Sequence, residues 1–149
     1  MRLNITGKSS NVENKIIRDA AKFYLNEILR PTTFKKIEIS IFLEENLYKN
    51  SGNFAEMFPT EIIIRPKEYE IILDSKLKKR NLLLCLAHEI IHIEQYVTDK
   101  MRLYSRTNDV LWKGKLYSEN TNYWKSPWEI EAHKKELELY SQYIKSLTE

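Results

Sequence analysis

Two histidines four residues apart, with a glutamate after the first, stand at His88-Glu89-Ile90-Ile91-His92. On an α-helix, positions i and i+4 lie one turn apart on the same face, so both imidazoles can reach a single ion. Zinc takes neutral imidazole nitrogens at ~2.0–2.1 Å and keeps one position open where it is catalytic. Glu89 can then address a water at that position as a general base without itself binding the metal. The flanking residues sharpen this reading. Leu82, Leu83, Leu84, Leu86, Ala87, Ile90, Ile91 and Ile93 make the stretch from about 79 to 96 apolar on nearly every side. Such a helix belongs at the centre of a domain. Two imidazoles and a carboxylate are costly to bury there unless they are paired or coordinated. The plainer alternative is a pair of hydrogen-bonded core histidines.

A metal site of this kind needs a third protein ligand. The chain's remaining histidine, His133, lies in Pro127-Trp128-Glu129-Ile130-Glu131-Ala132-His133, at the start of a last helix. At ~100° per residue, the stripe Leu137, Tyr140, Ile144 and Leu147 averages about 40° from Glu129 and about 160° from Glu131. Glu129 and His133 therefore point inward and Glu131 points to solvent. Glu129 becomes the third ligand, with His133 as an orienting partner or a rival ligand. Two alternatives stay open: Ser126-Pro127-Trp128-Glu129 also fits a capping box that would merely close the helix start, and His133 also fits a simple buried histidine.

The elements that must position these residues are legible in part. Ser10-Asn11-Val12-Glu13 reads as a capping box, and the helix after it puts Ile17, Ala20, Ala21, Tyr24 and Ile28 on one side before stopping at Pro31. From Lys36 to Leu43 the pattern turns to period two, which predicts a half-buried strand. Gly52 to Phe58 predicts a second strand, Glu61 to Arg65 an extension or another strand, and Tyr69 to Leu73 a further one. Asp74-Ser75 can cap the central helix. Thr98 to Ser126 has no clear periodicity, and a loop of that length in a small domain is usually functional. Its aromatics, Trp112, Tyr123 and Trp124, are expected to pack it onto the domain. The order is helix, meander of strands, central helix, long loop, helix, which we read as a single α+β domain over residues 1–149.

With 149 residues, 42% hydrophobic and 30% charged, the chain suits one ordinary globular domain. A net charge of +3 is too weak to argue for nucleic acid. One cysteine, Cys85, excludes an internal disulfide. No leader-like or membrane-spanning apolar run is apparent, so the expected compartment is the cytoplasm.

The spacing of HExxH from a later helix bearing Glu-x-x-Ala resembles the zincin metallopeptidases, and in particular the gluzincin branch. Laying Glu129-Ile130-Glu131-Ala132-His133 on that family's E-x-x-A-D pattern makes Glu129 the ligand. It also puts His133 where the family carries an aspartate. A nearer likeness is to small phage-type zincins sometimes labelled SprT-like. It is carried by Arg65-Pro66-Lys67-Glu68-Tyr69, Leu86-Ala87-His88-Glu89 to Gln95-Tyr96, Trp112-Lys113-Gly114, Tyr123-Trp124 and Pro127 to Ala132. The resemblance implies a minimal zincin fold, with Tyr69–Leu73 as the sheet edge that pairs with an extended peptide, and a host-cytoplasmic setting if the chain is phage-encoded. The implied reaction is peptide hydrolysis with Zn2+ on His88, His92 and Glu129 and with Glu89 as base, the substrate being a protein or peptide. Tyr117, Tyr123, Arg102 and Arg106 are candidates for stabilising the oxyanion. Cys85, one turn before the motif, reads as a small core residue. Two rivals remain: a non-cutting binding module, against which an intact Glu89 speaks, and a DNA-associated protease, for which Lys76, Lys78, Lys79 and Arg80 offer a basic run. No membrane partner is expected.

Overall fold

The computed structural model describes residues 1–104 and 107–148. The chain opens with strand β1 (Arg2–Thr6), then helices α1 (Asn14–Ile28) and α2 (Pro31–Lys36), strand β2 (Glu38–Glu44) and the short helix α3 (Leu47–Ser51). Strands β3 (Ala55–Pro59) and β4 (Glu68–Asp74) lead into the central helix α4 (Lys79–Val97). Three short strands, β5 (Met101–Leu103), β6 (Val110–Trp112) and β7 (Lys115–Tyr117), precede a 3-10 turn at Tyr123–Lys125 and the last helix, α5 (Pro127–Ser146). The fold class is α+β, as the element pattern predicts.

β1, β2, β4 and β3 form a mixed sheet in that order. β1 runs parallel to β2 and β2 to β4, while β3 is antiparallel to β4. The register aligns Leu3 with Ile39 and Ile39 with Tyr69. These residues, with Ile41, Leu43, Ile71 and Leu73, make one face buried throughout. The opposite face carries Asn4, Ser40 and Glu70, all partly or fully in water. On the apolar face lies α4, with α1 and α5 packed against its remaining sides. An apolar girdle on every side of α4 is satisfied only by such a central position. Among the described residues no helix is long and apolar enough to cross a membrane.

Several expectations need correction. The strands are not a meander, because β1 pairs in parallel with β2 through the α1–α2 crossover. β4 is interior, so the edge strand beside α4 is β3 rather than Tyr69–Leu73. Glu61 to Arg65 is loop rather than strand. The 98–126 segment contains the antiparallel sheet β5-β6-β7, whose three-residue strands are too short to show a period. The first helix begins at Asn14, with Ser9 Oγ rather than Ser10 accepting from the Asn11 and Val12 amides. Asp74 does not cap α4. Its carboxylate takes the Tyr48 and Lys76 amides instead. On α5 the buried stripe runs through Ala132, Leu139 and Tyr143, while Leu137 and Leu147 are exposed.

Candidate metal centre

Buried in the middle of α4, His88, Glu89 and His92 are 8%, 8% and 6% exposed. Pro127 stands at the first position of α5, where its fixed φ suits a helix start. The first turn of α5 thereby presents Glu129 to α4. The hydroxyl of Ser126 donates to the Asn122 carbonyl at 3.0 Å, and the Glu129 carboxylate is turned to the histidines. The capping-box alternative is therefore not what forms. Glu129 Oε1 lies 2.9 Å from His88 Nε2 and 3.1 Å from His92 Nε2, and the two Nε2 atoms are 3.1 Å apart.

The outward nitrogens decide what these inward atoms offer. Gln95, fully buried, directs its amide NH2 at the Trp128 carbonyl (2.9 Å) and at Glu131 Oε1 (3.2 Å). Its oxygen is therefore the atom 2.7 Å from His92 Nδ1, which must be the donor. In the same way His88 Nδ1 faces Glu136 Oε2 at 3.4 Å. With both Nδ1 positions protonated, neutral rings would turn Nε2 lone pairs onto Glu129, a cluster of electron donors that a cation, whether a proton or a metal ion, could satisfy. With only protons to serve, the cluster grips them. Burial pulls His88 down, but its bonds to Glu129 and Glu136 outweigh this and raise it to about 10. His92 is likewise raised against burial by Glu129. Burial pushes Glu129 up, and the two histidines more than reverse it, holding the carboxyl well below the usual range.

A metal ion fits the same place. Four tetrahedral ligands at ~2.0–2.1 Å lie roughly 3.3 Å apart, and the observed triangle is only slightly tighter. His88, His92 and Glu129 form one of two groups able to hold an ion among the described residues; the other is His88, His133 and Glu136. The second group reuses His88 through the nitrogen that faces Glu136, and we read it as support for the first. Glu136 accepts from His133 Nδ1 at 3.0 Å, which leaves His133 Nε2 to accept from the Tyr123 hydroxyl at 2.9 Å. His133 thus touches the site through Glu136 and Tyr123, with its ring 4.6 Å from that of His88. Glu131, expected in solvent, is half-buried and holds Gln95.

Glu89 sits beside the triangle without joining it. Burial pushes its carboxyl above the usual range, opposed by His92 and His88. It lines a cleft of about 470 Å³ together with His88, His92, Glu129 and the residues of β3 from Ala55 to Phe58. Tyr123 lines the same cleft, whereas Tyr117 packs edge-on against Trp128 and Arg102 is bonded to Asp99. Arg106 lies outside the described residues. Cys85 is half-buried next to His88 and Glu89, its thiol pushed up to about 12 by burial and then by Glu89 and Glu136, which disfavours the thiolate. Trp112 is buried as expected, and Trp124, although 71% exposed, stacks on the His133 ring of α5 with centroids 5.2 Å apart. The run Lys76, Lys78, Lys79 and Arg80 lies exposed around the start of α4.

Sequence reasoning did not single out Gln95 and Glu136. Helical spacing could have found both: Gln95 is three residues past His92, and Glu136 is two turns past Glu129 on the same face. No protein-family model, characterised protein or solved structure matches the chain, so the functional reading rests on this geometry.

Proposed function

We propose that the chain is a zinc-dependent metallopeptidase of the zincin type. The observation that carries this reading is the convergence of His88 Nε2, His92 Nε2 and Glu129 Oε1 within 2.9–3.1 Å beside a buried carboxylate that stays out of the triangle. Zinc held by these three residues would polarise a scissile carbonyl and make a water acidic near neutral pH. Glu89 takes the proton from the attacking water and delivers it to the leaving amine, a task suited to a carboxyl raised by burial. Gln95 and Glu136 hold the two imidazoles in the tautomer that presents Nε2.

Tyr123 stabilises the developing oxyanion. It is the one of the three described candidates that lines the cleft, and its hydroxyl proton points at His133, from which it can turn. β3 supplies a free strand edge along the cleft, to which an extended peptide would add by backbone bonding. A lone cysteine suits the reducing cytoplasm, where we place its action.

The test is mass-spectrometric digestion of unfolded proteins by the zinc-loaded wild type and by Glu89→Gln. The wild type should cut, and the variant should keep its zinc and lose at least about a hundredfold in rate. Equal cutting by both would remove Glu89 from the mechanism. Zinc bound with nothing cut would sink the peptidase reading.

A further inference from the structure

Four aromatic side chains that the core leaves outside meet at one cavity next to Glu89. Tyr48, Phe54, Tyr123 and Trp124 are each 46–71% exposed, an unusual amount of large apolar surface to gather in one place. Tyr48 and Phe54 form one wall, their rings stacked with centroids 4.1 Å apart and planes 4° apart. That wall is braced from behind by Asp74, which is buried. The Tyr48 amide donates to its carboxylate at 3.0 Å, and its own amide donates to the Phe54 carbonyl at 2.9 Å. Left-handed φ values at Asn46 (63°) and Gly52 (80°) bracket α3 and bring the two rings together. Opposite, Trp124 lies over His133 at 5.2 Å and meets Tyr123 edge-on at 5.0 Å. Cys85 and Ala55 complete a lining around about 600 Å³. Ala55, His88, Glu89 and Tyr123 border both this cavity and the cleft along β3, so the two spaces meet at the reacting position.

We propose that this cavity is a side-chain subsite for a large apolar or aromatic residue flanking the scissile bond, an inference that rests on the peptidase reading above. Stacked rings on two sides and a small neutral lining reward apolar area and ring-on-ring contact. Among the described residues no lysine or arginine lines the cavity, so an acidic side chain finds no counter-charge there. Of its two carboxylates, Glu136 is engaged by His88 and His133, and Glu89 faces the bond being cut. A cationic side chain therefore gains little.

The test is digestion of a peptide library, randomised on both sides of the cut, by the zinc-loaded wild type, by Cys85→Trp, which fills the cavity, and by Tyr48→Ala/Phe54→Ala, which removes the stacked wall. The wild type should favour Phe, Tyr, Trp, Leu or Met over Ala, Asp or Lys by at least about tenfold at one flanking position. Both variants should bind one zinc and lose that preference, Cys85→Trp in favour of Gly and Ala. A preference for Lys or Arg at that position, or an unchanged preference in both variants, overturns the subsite. If the zinc-loaded wild type cuts nothing, the peptidase reading fails and the cavity is judged separately. The probe is then the amide shifts of Gly52, Ala55 and Cys85, followed by NMR during titration with acetyl-Ala-Phe-Ala amide or acetyl-Ala-Ala-Ala amide. Saturation at roughly tenfold lower concentration of the Phe peptide keeps the cavity as an apolar side-chain site. Indistinguishable titrations overturn it.

Discussion

Two regions face each other across Glu89. On one side His88, His92, Gln95 and Glu129 sit deep between α4 and α5, polar atoms in an apolar interior, with their hydrogen bonds running in one connected chain. On the other side Tyr48, Phe54, Tyr123 and Trp124 hold large rings in water. Folding alone favours neither arrangement, since buried polar atoms and exposed aromatic faces both work against stability. The two regions nevertheless solve the problem differently. The polar cluster is specified atom by atom, so that a change in one partner alters the tautomer of the next. The aromatic rim is specified by shape, with Asp74 bracing its wall from behind. We take the first as the apparatus for the ion and the second as the apparatus for choosing what is brought to it.

Substitutions should separate these roles. The largest effect is expected where the regions touch. Tyr123→Phe keeps the ring and removes the hydroxyl, so kcat for peptide cleavage should fall by roughly a hundredfold with zinc content unchanged. A variant that also loses zinc would place Tyr123 in the ion's apparatus instead. Next comes Gln95→Leu, which releases His92 Nδ1 from its acceptor. Zinc affinity in a chelator competition should weaken by roughly 10–100-fold while the aromatic rim still binds apolar peptides. An unchanged affinity would mean that the His92 tautomer needs no support from Gln95.

The pH response is expected to be smaller, about tenfold per unit. A histidine must give up its Nε2 proton to bind zinc, and Glu129 and Glu136 hold the His88 proton up to about 10 despite burial. Between roughly pH 7 and 9, therefore, at least one proton leaves for each ion taken up, and apparent zinc affinity rises as pH rises. Calorimetry in buffers of different ionisation heat reads that proton directly. A pH-independent affinity would take His88 out of the ligand set. Smallest of all is Trp124→Ala, which should change unfolding free energy by under about 0.5 kcal/mol in urea melts, because the ring is mostly in water. A loss well beyond that would make the rim structural and collapse the contrast between the two regions.

What could be read in the chain follows the range of the physics involved. The helix around His88 and His92 and the period-two strand through Ile39, Ile41 and Leu43 are local patterns, and both form as predicted. Leu3 in β1 pairs with Ile39 across an entire helical crossover, and nothing near Arg2–Thr6 announces a parallel partner that distant. The edge position that the zincin resemblance implies for Tyr69–Leu73 fails for a related reason, because the interior place of β4 is a property of strand order and not of its residues. At the site, His88, Glu89 and His92 stand out by spacing, and Glu129 by its side of the helix. The shifted stripe through Ala132, Leu139 and Tyr143 shows why Glu131 was misjudged and Glu136 overlooked: apolar residues at the far end of α5 do not report which side its first turns bury.

The central claim is that α4 and α5 together hold one ion. Its most direct test is elemental analysis of zinc after exhaustive dialysis in the wild type, His92→Ala and Glu129→Ala, each shown by circular dichroism to be folded. The account predicts one zinc per wild-type chain and none in either variant. Zinc kept by Glu129→Ala, or a folded wild type that takes up none when zinc is offered, would contradict it.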